Sequence, residues 1–490
     1  MPAPAFPWTA SSAVEALRTG AVSATELLEQ CLERVTRFNP HLNALVTVDA
    51  AGARKAAQAA DARIAAGERL PLLGVPISVK DSFATQGLRT TASYRPLAEY
   101  VPDKDASVVG RLREAGAVIV GKSNLPELAG APHCWSPLFG LTRNPWDPTL
   151  TPGGSSGGAA VAVAAGFSLL ELGSDIAGSI RIPAAYCGVT GLKATENRIP
   201  RTGHIPHLPE HLRGERSVRH MLSFGLLARS VADLQLGYGL IAGPDGCDME
   251  VPPWQPDQLP ALAKNPLRLV LWEEGCLPLC ERTRAALAGM VGKLEAAGHS
   301  VERRAPPDLD LRALHTLFGA IGGVEIGLGM PAWQRRLLPA LRHLLPRTET
   351  LGRAFAAGLR FDMADYNRAL NAREAAIASL ERFLADFDAL LSPVACTVAY
   401  PGRPMPAWSK PPAVQVDGRK LPYLEATIGW TAPFSLTGSP VVTLPLGIEA
   451  GLPVGVQVVG RRWQDEALLA VATRLEGVLG GFVSPPPLEG

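Results

Sequence analysis

Three short segments hold the side chains best suited to covalent chemistry in this chain of 490 residues. GVPISVKD carries Lys80, TPGGSSGG carries Ser155 and Ser156, and LGSDIAGSIRIPAAYCG carries Ser179. Serine is a poor nucleophile until a base removes its proton. Lysine can be that base only when neutral, which requires burial or a nearby cation. Lys80 closes an apolar, strand-like stretch, where burial is expected. The serines sit in glycine-rich bends, where backbone can come close to a substrate. In the bend after Leu172, successive N–H groups can converge on an anion. A developing oxyanion beside a nucleophile needs such donors. The combination suggests hydrolysis of an amide bond without a histidine.

Competing chemistries fit less well. Gly153-Gly154-Ser155-Ser156-Gly157 matches the G-x-S-x-G nucleophile elbow, but that motif follows a strand directly. Pro145, Pro148 and Pro152 precede it here, which is hostile to a central strand. The Lys and Ser/Thr that close a P-loop are missing. No S-x-x-K occurs, which excludes a β-lactamase-type site on pattern. His204, His207 and His211 lie in a Pro-rich loop without metal spacing and read as surface or packing residues. Cys276 and Cys280 find no second close pair to complete a zinc site.

The elements that would position these groups alternate between strand and helix. Ser12 with Glu15, and Ser23 with Glu26, match capping boxes. Helices are expected over Thr25 to Val35 and Ala50 to Ala66. Val75 to Val79, Ala117 to Val120 and Ser168 to Leu172 read as strands, with helices at Ala106 to Ala115 and Ala159 to Ala165. The pattern continues with strand Leu267 to Leu271, helix Arg282 to Ala297 and strand Val301 to Arg303. It ends with strands Val441 to Leu444 and Gly455 to Val459 and helix Glu466 to Leu479. This alternation implies an α/β sheet with helices on its faces. Pro/Gly-rich stretches near Gly243 to Pro260 and Pro401 to Pro412 do not interrupt it, so one large domain is expected, with a helical cap over residues 314–364.

Lysine plus arginine (47) nearly cancels aspartate plus glutamate (46), leaving a net charge of +1. That gives no reason to expect nucleic acid or an anionic membrane surface. Small, largely neutral substrates fit better. The seven cysteines lack framework spacing and fit a reducing compartment. With no signal-peptide pattern and no long apolar run, a cytoplasmic protein is expected. Residues Trp333 to Arg347 mix basic and apolar side chains, so membrane contact remains the lesser reading, with Pro339 interrupting the helix.

The motifs together resemble the amidase signature family. The residues that carry the resemblance are Gly74-Val75-Pro76 through Lys80-Asp81, Gly87 with Thr90-Thr91, Gly121-Lys122-Ser123-Asn124, Pro152 through Gly158 and Leu172 through Lys193. Weaker blocks follow at Gly225 to Leu234 and near the C-terminus. The resemblance implies a large mixed sheet flanked by helices on both faces, and a Ser–cis-Ser–Lys triad. Ser179 would be the acylated nucleophile, Ser155 the bridging serine with a cis peptide bond, and Lys80 the base. The oxyanion hole would map to the backbone N–H groups of Ile176, Ala177, Gly178 and Ser179. Ser156, Asp175 and Arg181 would support it. No metal or organic cofactor is implied.

The family usually has two glycines before the nucleophile, and here the pair is Ala177-Gly178. A positive φ at position 177 would penalise the alanine. The implied reaction is hydrolysis of a carboxylic amide with an apolar acyl or aryl group, by a monomer or a homodimer. Candidates for the acyl pocket are His133, Cys134, Trp135, Phe139, residues 314–364 and Trp430 to Phe434. Two alternatives stay open. One is the glutamine-hydrolysing subunit of a tRNA-dependent amidotransferase, which usually has glutamine where this chain has Ile182. The other is a non-catalytic binding protein on the same fold.

Overall fold

The computed structural model describes residues 6–205, 217–253, 266–405 and 411–486. His207 and His211 lie outside the described residues. The N-terminal part runs α1 (Ala10–Thr19), α2 (Ala24–Leu42), β1 (Leu45–Val48), α3 (Ala50–Ala65), β2 (Pro76–Lys80), α4 (Ser107–Glu114) and β3 (Val118–Ser123). A small hairpin follows, β4 (Trp135–Ser136) with β5 (Gly140–Leu141). The central part holds α5 (Gly157–Ala165), β6 (Leu170–Asp175), α6 (Arg181–Cys187), β7 (Thr190–Lys193), β8 (Ser223–Ala228) and α7 (Val231–Ile241).

Next come β9 (Arg268–Leu271), α8 (Glu281–Ala296) and β10 (Ser300–Arg303). Four helices follow, α9 (Leu311–Leu328), α10 (Ala332–Leu341), α11 (Thr350–Gly358) and α12 (Met363–Leu384). The chain closes with β11 (Ala389–Pro393), the hairpin β12 (Val414–Val416) and β13 (Arg419–Leu421), α13 (Tyr423–Ile428), α14 (Ala432–Leu436), β14 (Val441–Glu449), β15 (Leu452–Val459) and α15 (Asp465–Leu479).

Eleven strands form one mixed sheet, in the order β1-β3-β2-β6-β8-β7-β14-β15-β11-β9-β10. β2 pairs in parallel with both β3 and β6. β6, β8, β7 and β14 then pair antiparallel. Every residue of β2, β3, β6, β7 and β8 is buried, as expected for strands covered on both faces. α5 is built only of glycine, alanine and valine, is wholly buried and packs on β2 and β6. Lys80 and Asp175 therefore emerge at neighbouring C-terminal strand ends. In open α/β sheets that edge is where ligands bind.

The ends of several elements differ from the sequence expectation. α1 is capped by Thr9, whose hydroxyl accepts from the Ser12 amide, so Ser12 is the third helical residue and not the cap. α2 continues seven residues beyond Val35, through Pro40, because Phe38 and Leu42 also bury against the core. β7, β8 and β11 were not among the strands expected from sequence; β7 has only four residues and β11 ends in Pro393. Residues 311–358 are mostly helical; α9 packs on α14 and α11 on α13. No described helix is long and apolar enough to cross a membrane.

The Ser23 hydroxyl accepts from the Glu26 amide, while Glu26 reaches back to the Ser23 amide. Loss of such a cap costs about 1 kcal/mol. Ser23→Ala is expected to lower the melting temperature slightly and leave amide turnover unchanged, checked by thermal denaturation beside an activity assay.

Candidate active site

Lys80 is fully buried at the end of β2. Its Nζ lies 2.8 Å from Ser155 Oγ, 2.9 Å from Ser156 Oγ and 3.0 Å from Ser174 Oγ, with the Ser174 carbonyl at 3.4 Å. Hydroxyls and a carbonyl surround the amine, and no carboxylate is within ion-pair distance among the described residues. Burial pushes its pKa down to about 7, against the opposing pull of Asp175, Cys134 and Glu171. A neutral amine has two N–H donors and one lone pair. The carbonyl can only accept, so it takes a donor, and a serine hydroxyl can fill the lone pair.

The serine loop approaches Lys80 from residues 152–156, just before α5. The Gly154–Ser155 peptide bond is cis. A Cβ at position 154 would lie 2.2 Å from the His133 carbonyl oxygen, so only glycine fits there. Ser155 is 1% exposed and Ser179 7%. The Ser156 amide donates to the Ser179 carbonyl at 3.0 Å, which ties the two serine segments together. Ser179 Oγ makes no hydrogen bond within the described residues, and none joins it to Ser155.

Asp175 and Arg181 hold the segment between them. Asp175 accepts from the amides of Gly178 at 2.7 Å, Ile180 at 3.0 Å and Arg181 at 3.4 Å. Its carboxylate pairs with Arg181 at 2.8 Å, with both side chains fully buried. Burial alone would raise the acid, but the Arg181 guanidinium holds it below the usual carboxylate range. Arg181 Nε and Nη2 donate to Asp175, Nη2 also to Ser435, and Nη1 to the Thr431 carbonyl and Gln457. All five guanidinium donors are used.

The Gly178 amide is committed to Asp175, whereas the amides of Ile176, Ala177 and Ser179 make no hydrogen bond within the described residues. Gly178 has φ +113°, and a Cβ there would lie 2.5 Å from Thr431 Oγ1. Ala177 is not among the residues with positive φ. Its alanine is therefore unstrained, and the conformation that demands glycine falls one residue later. The Ala177 carbonyl accepts from Thr431 Oγ1 at 2.6 Å.

The acyl-pocket candidates separate into two groups. Cys134, Trp430 and Phe434 are buried. Trp272 packs edge-on against Trp430 and Phe434, so these rings belong to the core. His133, Trp135 and Phe139 are half-buried. His133 Nδ1 lies 2.9 Å from Tyr423 Oη, and burial pushes its imidazole pKa down to about 4, so it is neutral. Phe139 lies beneath the Arg89 guanidinium. Among the described residues, no three His, Cys, Asp or Glu side chains gather as a metal site.

Several contributors were not given these roles by sequence: Ser174, Ser435 and Gln457, and Thr431, which was named only within the Trp430 to Phe434 pocket candidate. Ser174 stands one residue before Asp175 in a segment already chosen for chemistry, so its hydroxyl was visible there. The other three lie 250 residues or more from Arg181 in sequence, and only folding brings them to it.

Residues 26–469 match the family model described as Amidase. The chain belongs to the amidase signature family. It is accordingly an amide-hydrolysing enzyme. It is 35% identical to a glutamyl-tRNA(Gln) amidotransferase subunit of Roseiflexus sp., with 98% of each chain covered. It is 36% identical to AmiB2 of Mycobacterium bovis, with 95% of each covered. A solved 6-aminohexanoate cyclic dimer hydrolase with bound substrate superposes with TM-score 0.78 at 29% identity, covering 96% of this chain and 97% of that one.

Three substitutions test the loop of this amidase. Gly178→Ala puts a methyl against Thr431 at positive φ and should remove most amide hydrolysis. Ala177→Gly should leave it nearly intact, measured by product release from one amide. Asp175→Asn strands a buried guanidinium, at a cost of about 3–5 kcal/mol, and should lower the melting temperature by several degrees.

Proposed function

We propose that Lys80, Ser155 and Ser179 carry out the amide hydrolysis, as base, bridging serine and nucleophile. The observation that carries this reading is the buried amine held by hydroxyl groups. Neutral Lys80 takes the proton of Ser155 while Ser155 takes that of Ser179. Ser179 Oγ then attacks the amide carbonyl. Hydrogen bonds of catalytic groups are often long in the free enzyme and tighten with substrate, so the Ser155–Ser179 contact closes when an amide is bound.

The oxyanion is held by the amides of Ile176, Ala177 and Ser179. Gly178, the fourth donor expected from sequence, serves the loop through Asp175 instead. Ser156 helps fix the lysine, while Asp175 and Arg181 shape the loop. Reversal of the relay delivers the proton to the leaving nitrogen, and the C–N bond breaks to leave an acyl-serine. Water, deprotonated through the same relay, releases the carboxylate. No cofactor takes part in any step.

The substrate is a small carboxylic amide with an apolar acyl or aryl group. Half-buried Trp135 and Phe139, with His133 neutral beside them, support that choice, as does the near-zero net charge. The similarity to an amidotransferase component supports a second reading, in which glutamine is hydrolysed within a complex. Ile182 weighs against it. This side chain is fully buried and would lie 2.8 Å from a Cβ at Gly178, so an apolar group stands beside the loop where that component usually has glutamine.

Ser179→Ala should abolish both turnover and labelling by a serine-directed fluorophosphonate. Retained labelling and turnover would reject the assignment. Lys80→Ala should cost roughly 10²–10⁴-fold in turnover. Since the lysine works only as the amine and its pKa is about 7, kcat/KM should rise with pH through neutrality and level off above it. Turnover of aryl amides by the isolated chain, with glutamine untouched, separates the first reading from the second.

A further inference from the structure

Glu171 is a fully buried acid in the wall beneath the reactive lysine, and the chemistry above does not use it. It lies in β6 opposite Ser78 of β2, two residues before Lys80. One carboxyl oxygen accepts from Ser123 Oγ at 2.7 Å, and the other bonds to Ser78 Oγ. Ser123 is the β3 neighbour of Lys80 in the sheet register. Ser78 Oγ in turn bonds to Ser168 Oγ at 2.7 Å. Glu171 forms no ion pair within the described residues. An unpaired ionised carboxylate in such a place is costly.

The hydroxyl chain accommodates either charge state. With the carboxyl ionised, Ser78 and Ser123 donate to it. With a proton on the oxygen facing Ser78, the carboxyl donates to Ser78, and Ser78 donates to Ser168. Neither state requires a heavy atom to move, and no buried donor or acceptor of the carboxyl is orphaned.

We propose that Glu171 is a positioning residue of this amidase: its carboxyl, carried on β6 beside β2, governs whether Lys80 rests as amine or ammonium. An ionised Glu171 favours the ammonium, and a protonated Glu171 leaves the lysine free to be the amine. The exchanged species is one proton, lost from Lys80 Nζ and held on the Glu171 carboxyl, with solvent balancing the total. Burial pushes Glu171 up to about 7, in the range of Lys80 itself, and each group lies in the other's field, with Lys122 also acting on the acid.

Other charges face the pair. From β3 comes Lys122, which bonds to the Phe83 carbonyl, Thr85 and Thr90, has Asp81, Glu171, Asp105 and Arg113 around it, and favours the ionised form of Glu171. Near Lys80 stands Asp175, paired with Arg181 and the first of the charges that favour its ammonium form, with Lys193 behind it. β8 presents Leu227 opposite Glu171, and α5 has no polar side chain.

This inference rests on Lys80 being the base, and the test separates the two. The pH dependence of kcat/KM is measured for the wild type and Glu171→Gln, since its acid limb reports the free enzyme. The glutamine keeps the shape and removes the charge. The limb should move about one unit toward lower pH, with fluorophosphonate labelling of Ser179 retained. A merely structural Glu171 would change the melting temperature and leave the limb in place, which overturns the inference.

Should Glu171→Gln fail to fold, Ser123→Ala replaces it. Losing a donor to the carboxylate favours the protonated acid, so the limb should shift the same way by a smaller amount. An unmoved limb there also overturns the inference. In either case, undiminished turnover in Lys80→Ala would instead bring down the assignment of the base.

Discussion

Burying an amine at the end of a central strand is the constraint on which the rest of the site depends. Water would favour its ammonium form, and Lys80 is fully buried among neutral oxygens in place of carboxylates. Those oxygens come from Ser155, Ser156 and Ser174, on two different segments. Bringing both segments to one nitrogen forces the backbone close to its neighbours. Gly154 sits against the His133 carbonyl and Gly178 against Thr431, so the glycines follow from crowding around the lysine.

Asp175 is the first of the charges that pull Lys80 toward its ammonium form, and the site pairs that acid rather than leaving it bare. Asp175 lies one residue beyond Ser174, yet its carboxylate is spent on Arg181 and on three backbone amides. A bare carboxylate at that distance would favour the ammonium form of Lys80 and disable it as a base. The buried pair therefore does two things. It fixes the loop that carries the amides of Ile176, Ala177 and Ser179, and it offsets part of the acid's pull on the lysine. A buried ion pair is weak evidence for stability in itself; here its value is geometric.

Much of this was legible before folding was considered. The lysine, both serines and the Asp175–Arg181 segment announce themselves by chemistry and by glycine spacing. Strands such as β2 and β6 were visible from the mostly apolar stretches Val75 to Val79 and Ser168 to Leu172, although buried Ser78 and Glu171 interrupt them. What escaped was set by tertiary contact. α2 runs past Pro40 because Phe38 and Leu42 find a core to bury in. Trp430 and Phe434 were sensible pocket candidates by type, but Trp272, more than 150 residues earlier, packs them into the core. The unpaired amides of the loop depend on which donors Asp175 captures, and no pattern of residue types reveals that choice.

The same reasoning explains why the family match spans residues 26–469 and not just the motif-bearing stretch. The lysine and serines occupy a compact run of sequence, but the guanidinium that steadies their loop reaches Thr431, Ser435 and Gln457. Gln457 belongs to β15, which joins the sheet through β14, and β14 pairs with β7, which follows α6 and the Ser179 loop. Without the C-terminal strands, Arg181 would be a buried cation with only part of its donors satisfied. Asp175 would then have a less fixed partner, and the amides it orders would lose their aim. The reactive groups are local in sequence, whereas the rigidity that makes them useful is distributed over nearly the whole chain.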